Sequence, residues 1–522
     1  MKAKIIQFLM VLVWTSFLLV GCGGNSATPS IPLATTCANL NGTSIDDVTI
    51  TSTKWYEASG DHPAFCQVNA TRPPYLDMEI DLPANWSGRL WQQGGGGFDG
   101  RITSAITTDA TTGAITSMSI ALKEGLAVYA ASNGGNRATA PAQAAPLVWS
   151  DGTQDGVTSA RDYAYTALST TREFARAVTL KFYGRSPSHT YFNGCSNGGR
   201  NAYIAADRWP EDYDGIVSGC MVMDITGQTV AWMDLGAKSG TETMPSAAQW
   251  QAVTAASMAA CDALDGVTDG MIANQAACDF DAATLQCGEP TADPDPAICL
   301  TAEQVQTVKD VTSDLKLGDG TTVYSGYNWT DWYSHVVYYG LLGGGNALLA
   351  TGDAAWFSDL AKRQSFILDH DYPIFQYGLR IIGANPDKSR VAAFVASGRK
   401  LISWHAGSDN LSSFNDHVRN YSTMMNLAVG QGLTDPETHT RFFVVPGGSH
   451  TDGEDLTEIN WFNAITQWVE MDIAPEQLLY NKRDKTTGEL LRTLPVCRHP
   501  QYPRYNGAGD VNDAANYTCT TP

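Results

Sequence analysis

Thr190-Tyr191-Phe192-Asn193-Gly194-Cys195-Ser196-Asn197-Gly198-Gly199-Arg200 is the stretch on which the fold turns. A short β-like run ends in G-x-S-x-G and passes straight into the helix-like segment Asn197 to Trp209. A serine on so sharp a strand-to-helix turn must adopt strained backbone angles. Glycines two residues before and two after it let strand and helix pass without side-chain collision. Ser196 is therefore the candidate nucleophile of an α/β fold.

The flanking sequence repeats the alternation. Upstream, Tyr75 to Leu82 alternates like a strand, Arg89 to Gln93 reads as a second strand running into the glycine tetrad Gly94 to Gly97, and Leu126 to Ala131 reads as a third. Ala160 to Tyr183 has helical periodicity, and Gly215 to Ser218 follows the elbow as a short apolar strand. Strands alternating with helices imply a sheet with crossover connections. From about Met221 to about Lys388 the chain becomes rich in Ala, Gly, Asp and aromatics, with four cysteines and no βα alternation. Strand-like Lys400 to Trp404 and Arg441 to Val445 then resume the pattern, followed by helix-like Trp461 to Val469. The expected architecture is an α/β-hydrolase core, residues 37–220 and 389–522, interrupted by a large lid at 221–388.

A serine hydroxyl becomes nucleophilic only when a histidine takes its proton and a carboxylate fixes that histidine's tautomer. In this fold the partners follow the nucleophile in the order acid, then histidine, each after a core strand. Asp409, in His405-Ala406-Gly407-Ser408-Asp409, and His450, in Pro446-Gly447-Gly448-Ser449-His450, meet both conditions. Of the other candidates among the nine histidines, His405 sits too close to its strand and reads as structural or pocket-lining. Asp416 with His417 reads as the solvated face of a helix, and Asp452 breaks the chain order. For the oxyanion, the N–H of Asn197 supplies one donor. The tetrad Gly94 to Gly97 is expected to supply the other, since missing side chains allow close approach.

Composition and the N-terminus supply an address. With 54 Asp+Glu against 33 Lys+Arg the 522-residue chain lacks the basic footprint that nucleic-acid binding requires. A basic start, Met1 to Lys4, an apolar run, Ile5 to Val20, and the box Leu19-Val20-Gly21-Cys22 read as a bacterial lipoprotein signal, removed so that Cys22 is lipidated. A tether across residues 22–36, low in complexity from Gly23 to Pro32, is expected to hold the globule off an outer membrane or cell surface. Of 11 cysteines, Cys22 aside, ten remain: Cys37, Cys66, Cys195, Cys220, Cys261, Cys278, Cys287, Cys299, Cys497 and Cys519. An even number in an exported chain suggests disulfides whose connectivity the sequence leaves open. Cys261 with Cys278, Cys287 with Cys299 and Cys497 with Cys519 are the simplest local pairs.

Together the Gly94 to Phe98 loop, Phe192 to Arg200, Tyr213-Asp214-Gly215-Ile216-Val217, the Cys261 loop and the segment Cys497 to Cys519 resemble the tannase and feruloyl esterase family. That family includes bacterial mono(2-hydroxyethyl) terephthalate hydrolases. The resemblance implies a lidded α/β-hydrolase, the triad Ser196, Asp409 and His450, and Gly97 as the oxyanion glycine. It also implies a structural calcium ion on Asp262, Asp265 and Asp269 with the carbonyls of Val267 and Met271. Three carboxylates within eight residues suit a hard cation and would repel one another without one. The sequence departs from the family once. The cysteine before the nucleophile usually pairs with one after the catalytic histidine, and here that position is Thr451. Cys220 ends the strand expected beside the nucleophile strand, and neighbouring strands about 4.8 Å apart suit a disulfide. A Cys195–Cys220 bridge is therefore expected, leaving the histidine loop freer.

The expected reaction is hydrolysis of an aromatic acid ester (feruloyl, galloyl or terephthalate monoester) through an acyl-enzyme. The lid aromatics, Trp329, Trp332, Tyr333, Tyr338, Tyr339, Trp356 and Phe357, divide between lid core and substrate stacking. An aliphatic esterase or other serine hydrolase on the same scaffold is the alternative, and a non-catalytic surface binding protein is a third reading that an intact triad opposes.

Overall fold

The computed structural model describes residues 32–137, 148–149, 151–288, 298–484 and 486–522. The signal segment, Cys22 and the tether up to residue 31 lie outside the described residues. The tether expectation is corrected at its end, because Leu33–Leu40 is already a helix. Its Cys37 and Leu40 are buried among Val48, Val68 and Ile80, and Cys37 is bonded to Cys66. An apolar helix face with a covalent anchor has a partner to pack on, which a tether lacks.

Twelve strands form one sheet. In chain order they are β1 Ser44–Ile45, β2 Val48–Tyr56, β3 Phe65–Arg72, β4 Leu76–Pro83, β5 Arg89–Gln93, β6 Val128–Ser132, β7 His189–Cys195, β8 Gly215–Gly219, β9 Lys400–Ala406, β10 Thr440–Val445, β11 Leu478–Arg483 and β12 Leu490–Arg498. Their spatial order is β1-β2-β3-β4-β6-β5-β7-β8-β9-β10-β12-β11. The run from β6 to β10 is parallel, and antiparallel strands extend it on both sides. Parallel strands must be covered on both faces. On one face the helix Trp461–Met471 buries Trp461, Ile465 and Trp468 against Trp404 and Phe443. On the other, the helices Asn197–Arg208, Lys388–Ala396 and Phe414–Gly430 pack Tyr203, Phe394 and Met424 together.

Between β8 and β9 the chain leaves the sheet and forms a mainly helical domain. Ile225–Ala237 and Tyr333–Thr351 cross where Gly236 meets Gly340, a Cβ on Gly236 standing 2.4 Å from the Gly340 Cα. Of the aromatics here, Trp332, Tyr339 and Trp356 are buried in clusters made mainly by the domain itself, whereas Phe357 packs against Phe98 in a cluster shared with Trp149 and Tyr163 of the core. The side chain of Tyr333 lies outside the described residues. No helix among the described residues is long and apolar enough to cross a membrane.

All ten described cysteines are paired: Cys37–Cys66, Cys195–Cys220, Cys261–Cys278, Cys287–Cys299 and Cys497–Cys519. Register explains the second pair. Gly219 of β8 lies opposite Cys195 of β7, so Cys220, one step on, comes within 5.1 Å of Cys195 between Cα atoms.

Candidate active site

Strand β7 delivers Ser196 at φ 60° and ψ −124°, a conformation that non-glycine residues rarely hold. Glycine is required on both sides of it. A Cβ on Gly194 would stand 2.5 Å from the carbonyl carbon of Gly198, and one on Gly198 would stand 2.6 Å from the carbonyl oxygen of Gly95. The Ser196 N–H donates to the Gly219 carbonyl at 3.1 Å, fastening the strained turn to β8.

Loops after β9 and β10 bring Asp409 and His450 to this turn. His450 Nε2 lies 2.9 Å from Ser196 Oγ, and His450 Nδ1 lies 2.8 Å from Asp409 Oδ2. The other Asp409 oxygen accepts the N–H groups of Leu411 at 2.8 Å and Ser412 at 2.9 Å. Burial disfavours the Asp409 charge, but His450 and His405 together hold its carboxyl well below the usual carboxylate range. Burial likewise favours the neutral His450 ring, yet the facing Asp409 charge and hydrogen bond raise its pKa above the ordinary value.

The inserted domain is fitted onto the Asp409 loop. Thr330 Oγ1 donates to the Ser408 carbonyl at 2.6 Å, Asn328 Nδ2 to the Gly407 carbonyl at 2.8 Å, and Trp232 Nε1 to the Leu411 carbonyl at 3.0 Å. Between this domain and the elbow is a pocket lined by Gly97, Ser196 and Asn197 on the core side and by Ile225, Trp232 and Leu342 on the other. Phe98, Tyr163, Arg200 and the buried Asn346 also line it.

The glycine loop is tied to the elbow by a buried polar chain. Asn197 Nδ2 donates to Asp99 Oδ1 at 2.6 Å, Arg200 Nε donates to Asn197 Oδ1 at 2.8 Å, and Tyr163 donates its hydroxyl to the Gly97 carbonyl at 3.2 Å. Burial pushes the Asp99 carboxyl up to about 7. Arg200 donates three more of its N–H groups to the carbonyls of Tyr163, Ala164 and Ala384.

Known proteins match this chain over most of its length. The profile described as "Tannase and feruloyl esterase" matches residues 60–339 and 380–520. The chain belongs to the tannase and feruloyl esterase family. It is a carboxylic ester hydrolase, as its relatives are named. It is 28% identical to the mono(2-hydroxyethyl) terephthalate hydrolase of Piscinibacter sakaiensis, over 86% of this chain and 82% of that one. It is 27% identical to a probable feruloyl esterase B-1 of Aspergillus fumigatus, over 87% and 85%. Feruloyl esterase B from Aspergillus oryzae shares the fold at TM-score 0.76 and 22% identity, covering 94% of this chain and all, 100%, of that one. The tannin acyl hydrolase of Aspergillus niger does so at 0.70 and 20%, covering 94% and 95%.

Several residues stand differently from their sequence readings. Of the two readings given for His405, structural and pocket-lining, only the first holds, for it is fully buried and lines no part of the pocket, with its Nε2 3.1 Å from Asp409 Oδ2. Asp416 and His417 are buried, not a solvated face, because the helix Phe414–Gly430 is covered both by the sheet and by the inserted domain, whose Ser325 N–H reaches Asp416. The histidine loop, which has no disulfide to the elbow, holds its shape through bonds of its own. Asp452 accepts from the Ser449 N–H and hydroxyl, and the Cys195 sulfur rests 3.7 Å from the His450 carbonyl oxygen. Asp99, Trp232, Tyr163 and Asn346 were missed altogether, since each reaches the site only through tertiary packing.

In the acidic loop, no three His, Cys, Asp or Glu side chains converge as a metal-ligand group among the described residues. Asp262 turns inward and accepts the N–H groups of Asp269, Gly270 and Met271 at 3.0 to 3.3 Å. Asp265 is pushed up to about 7, first by burial and then by the Asp269 and Asp262 charges. Asp269 gives one oxygen to Arg492, while its other oxygen, Oδ1, is buried without a hydrogen-bond partner. A hard cation fits what is left over, namely an orphaned carboxylate oxygen beside a second carboxyl whose charge is resisted.

Proposed function

We propose that this esterase hydrolyses esters of aromatic acids through an acyl-enzyme on Ser196. The observation that carries the reading is the continuous line Ser196 Oγ to His450 Nε2 at 2.9 Å and His450 Nδ1 to Asp409 Oδ2 at 2.8 Å, opening into an aromatic-walled pocket. His450 takes the Ser196 proton as Oγ attacks the ester carbonyl, and Asp409 stabilises the imidazolium that forms. The N–H groups of Gly97 and Asn197, both on the pocket wall, receive the developing oxyanion. His450 then returns the proton to the leaving alcohol, and a water activated by the same ring releases the acid.

Arg200 is the one cation among the described residues lining the pocket, and four of its five N–H groups are held by Asn197 and by the carbonyls of Tyr163, Ala164 and Ala384. An uncharged aromatic acyl group of feruloyl or galloyl type therefore suits the pocket better than a terephthalate monoester, whose free carboxylate needs a partner. Ser196→Ala should abolish turnover of methyl ferulate, methyl gallate and mono(2-hydroxyethyl) terephthalate while leaving the melting temperature unchanged. A Ser196→Ala protein as active as the parent refutes the mechanism, and a marked preference for the terephthalate monoester refutes the substrate order.

The same reading gives the acidic loop a structural calcium ion, held by Asp265 and Asp269 with the carbonyls of Val267 and Met271 and with Asp262 shaping the turn. Bound there, the ion would neutralise the loop's charge. Export as a lipoprotein anchored through Cys22 completes the proposal, supported by the signal-like N-terminus and five disulfides in the chain.

A further inference from the structure

Behind the triad lies a second line of buried polar groups. His405 Nε2 is 3.1 Å from both Asp409 Oδ2 and the Ser412 carbonyl. His405 Nδ1 is 2.9 Å from His417 Nδ1, and His417 Nε2 is 3.2 Å from the Tyr203 hydroxyl. That hydroxyl is 2.6 Å from Ser403 Oγ. His405, His417, Tyr203 and Ser403 are all at most 1% exposed.

With both rings neutral, one proton assignment satisfies every contact. A carboxylate and a carbonyl only accept, so His405 carries its proton on Nε2. Its Nδ1 then accepts, which places the His417 proton on Nδ1. His417 Nε2 accepts from Tyr203, and Tyr203 accepts from Ser403. The surroundings favour a neutral His417. Burial first, and then the neighbouring His405 and His499, hold His417 well below its ordinary value. Asp409 is the carboxylate that faces the pair. Asp416, on His417's own helix, is turned away to Arg419, Asn420 and the Ser325 N–H.

We propose that His405 is a positioning residue for ester hydrolysis, donating from Nε2 to the same Asp409 oxygen that orients His450, with its tautomer fixed from behind by His417. The inference rests on the Ser196–His450–Asp409 reading. Asp409 Oδ2 thus accepts the His450 N–H and shares the His405 Nε2–H with the Ser412 carbonyl, while Oδ1 accepts two backbone N–H groups. These donors, the shared His405 N–H among them, lock the carboxylate's rotamer and disperse part of its charge. Without the His405 donor that charge bears more fully on His450, raising its pKa, while the carboxylate gains freedom to turn. Substrate binding is untouched, because neither ring lines the pocket.

The test compares His405→Ala with His405→Gln, whose amide N–H stands where the ring Nε2–H was, and His417→Phe with His417→Asn, which restores a donor at the Nδ1 position. For each, kcat, KM and the pH profile of kcat/KM are measured on the best ester of the panel. His405→Ala and His417→Phe should lose roughly tenfold in kcat, the effect of one hydrogen bond to a charged group, with KM nearly unchanged. Their acid limb should move to higher pH. His405→Gln and His417→Asn should recover most of kcat and the parental limb. An unchanged kcat and limb in His405→Ala overturns the inference, as does an equal loss in the alanine and glutamine variants. If His405→Ala does not fold, the His417 pair decides by the same criteria. Fluorophosphonate labelling separates the two readings. A wild-type protein unlabelled at Ser196 overturns the triad and this inference with it, whereas a labelled wild type beside an unchanged His405→Ala profile overturns this inference alone.

Discussion

Gly198→Ala gives the sharpest test of how the elbow and the glycine loop share one space. The added Cβ would stand 2.6 Å from the Gly95 carbonyl oxygen, 3.2 Å from the Gly94 carbonyl carbon and 3.4 Å from the Gly94 Cα. All three are backbone atoms, so no side chain can swing aside. Comfortable separation of non-bonded heavy atoms begins at roughly 3.5 Å, and the loop must therefore retreat by something approaching 1 Å. The retreat carries Gly97 away from Ser196. Loss of one oxyanion donor costs about 100- to 1,000-fold in kcat, and a misplacement of about 1 Å costs on the order of 100-fold. We expect kcat to fall about 100-fold with a much smaller change in KM. Gly96→Ala is the control, since a Cβ there meets nothing within 4 Å and the residue is not among the glycines with positive φ; it should stay within about twofold of the parent, as exposed substitutions do. Steady-state kinetics on one ester, with melting temperatures beside them, decide the matter. A Gly198→Ala enzyme with parental kcat, or a Gly96→Ala enzyme equally impaired, would refute the reasoning.

Three further outcomes follow from the site and its supports. His450 must be neutral to act as base, and Asp409 raises its pKa, so activity should be full at alkaline pH and fall as pH drops through a value above the ordinary ~6.5; an acid limb of kcat/KM centred below that value contradicts the assignment. Cys195→Ser with Cys220→Ser opens a loop of sequence separation 25 and should cost about 3 to 4 kcal/mol by the chain-entropy estimate, read by chemical denaturation; a loss under about 1 kcal/mol would show that the bridge does not brace the elbow. Calcium should raise the melting temperature and a chelator lower it, with Asp269→Asn abolishing the response; identical melting curves in calcium and chelator would dismiss the ion from this loop.

Local geometry was the part of this protein legible from its sequence. A strained serine between strand and helix demands glycines at fixed offsets, so the elbow announced itself at Gly194, Ser196 and Gly198. The order Ser196, Asp409, His450 could be read because each lies at the end of an apolar strand signal. The Cys195–Cys220 pair could also be read, because strand spacing alone brings the two residues within bonding distance. The helix at Leu33–Leu40 and the buried His417 were misjudged for a common reason. Whether a polar or short segment faces water depends on what covers it, and the covering elements come from distant parts of the chain.

Tertiary structure decided the meetings of distant segments that no local signal marks. Asp99 reaches Asn197, Trp232 reaches the Leu411 carbonyl, and His417 finds both His405 and Tyr203. No spacing rule links these residues, for their neighbourhood is set by sheet register and by the docking of the inserted domain on the Asp409 loop. The sequence therefore determined the catalytic order and the turn that exposes the nucleophile, since backbone strain is a local property. The pocket wall and the buried line behind Asp409 awaited the fold, since burial and hydrogen-bond partnership are properties of packed surfaces.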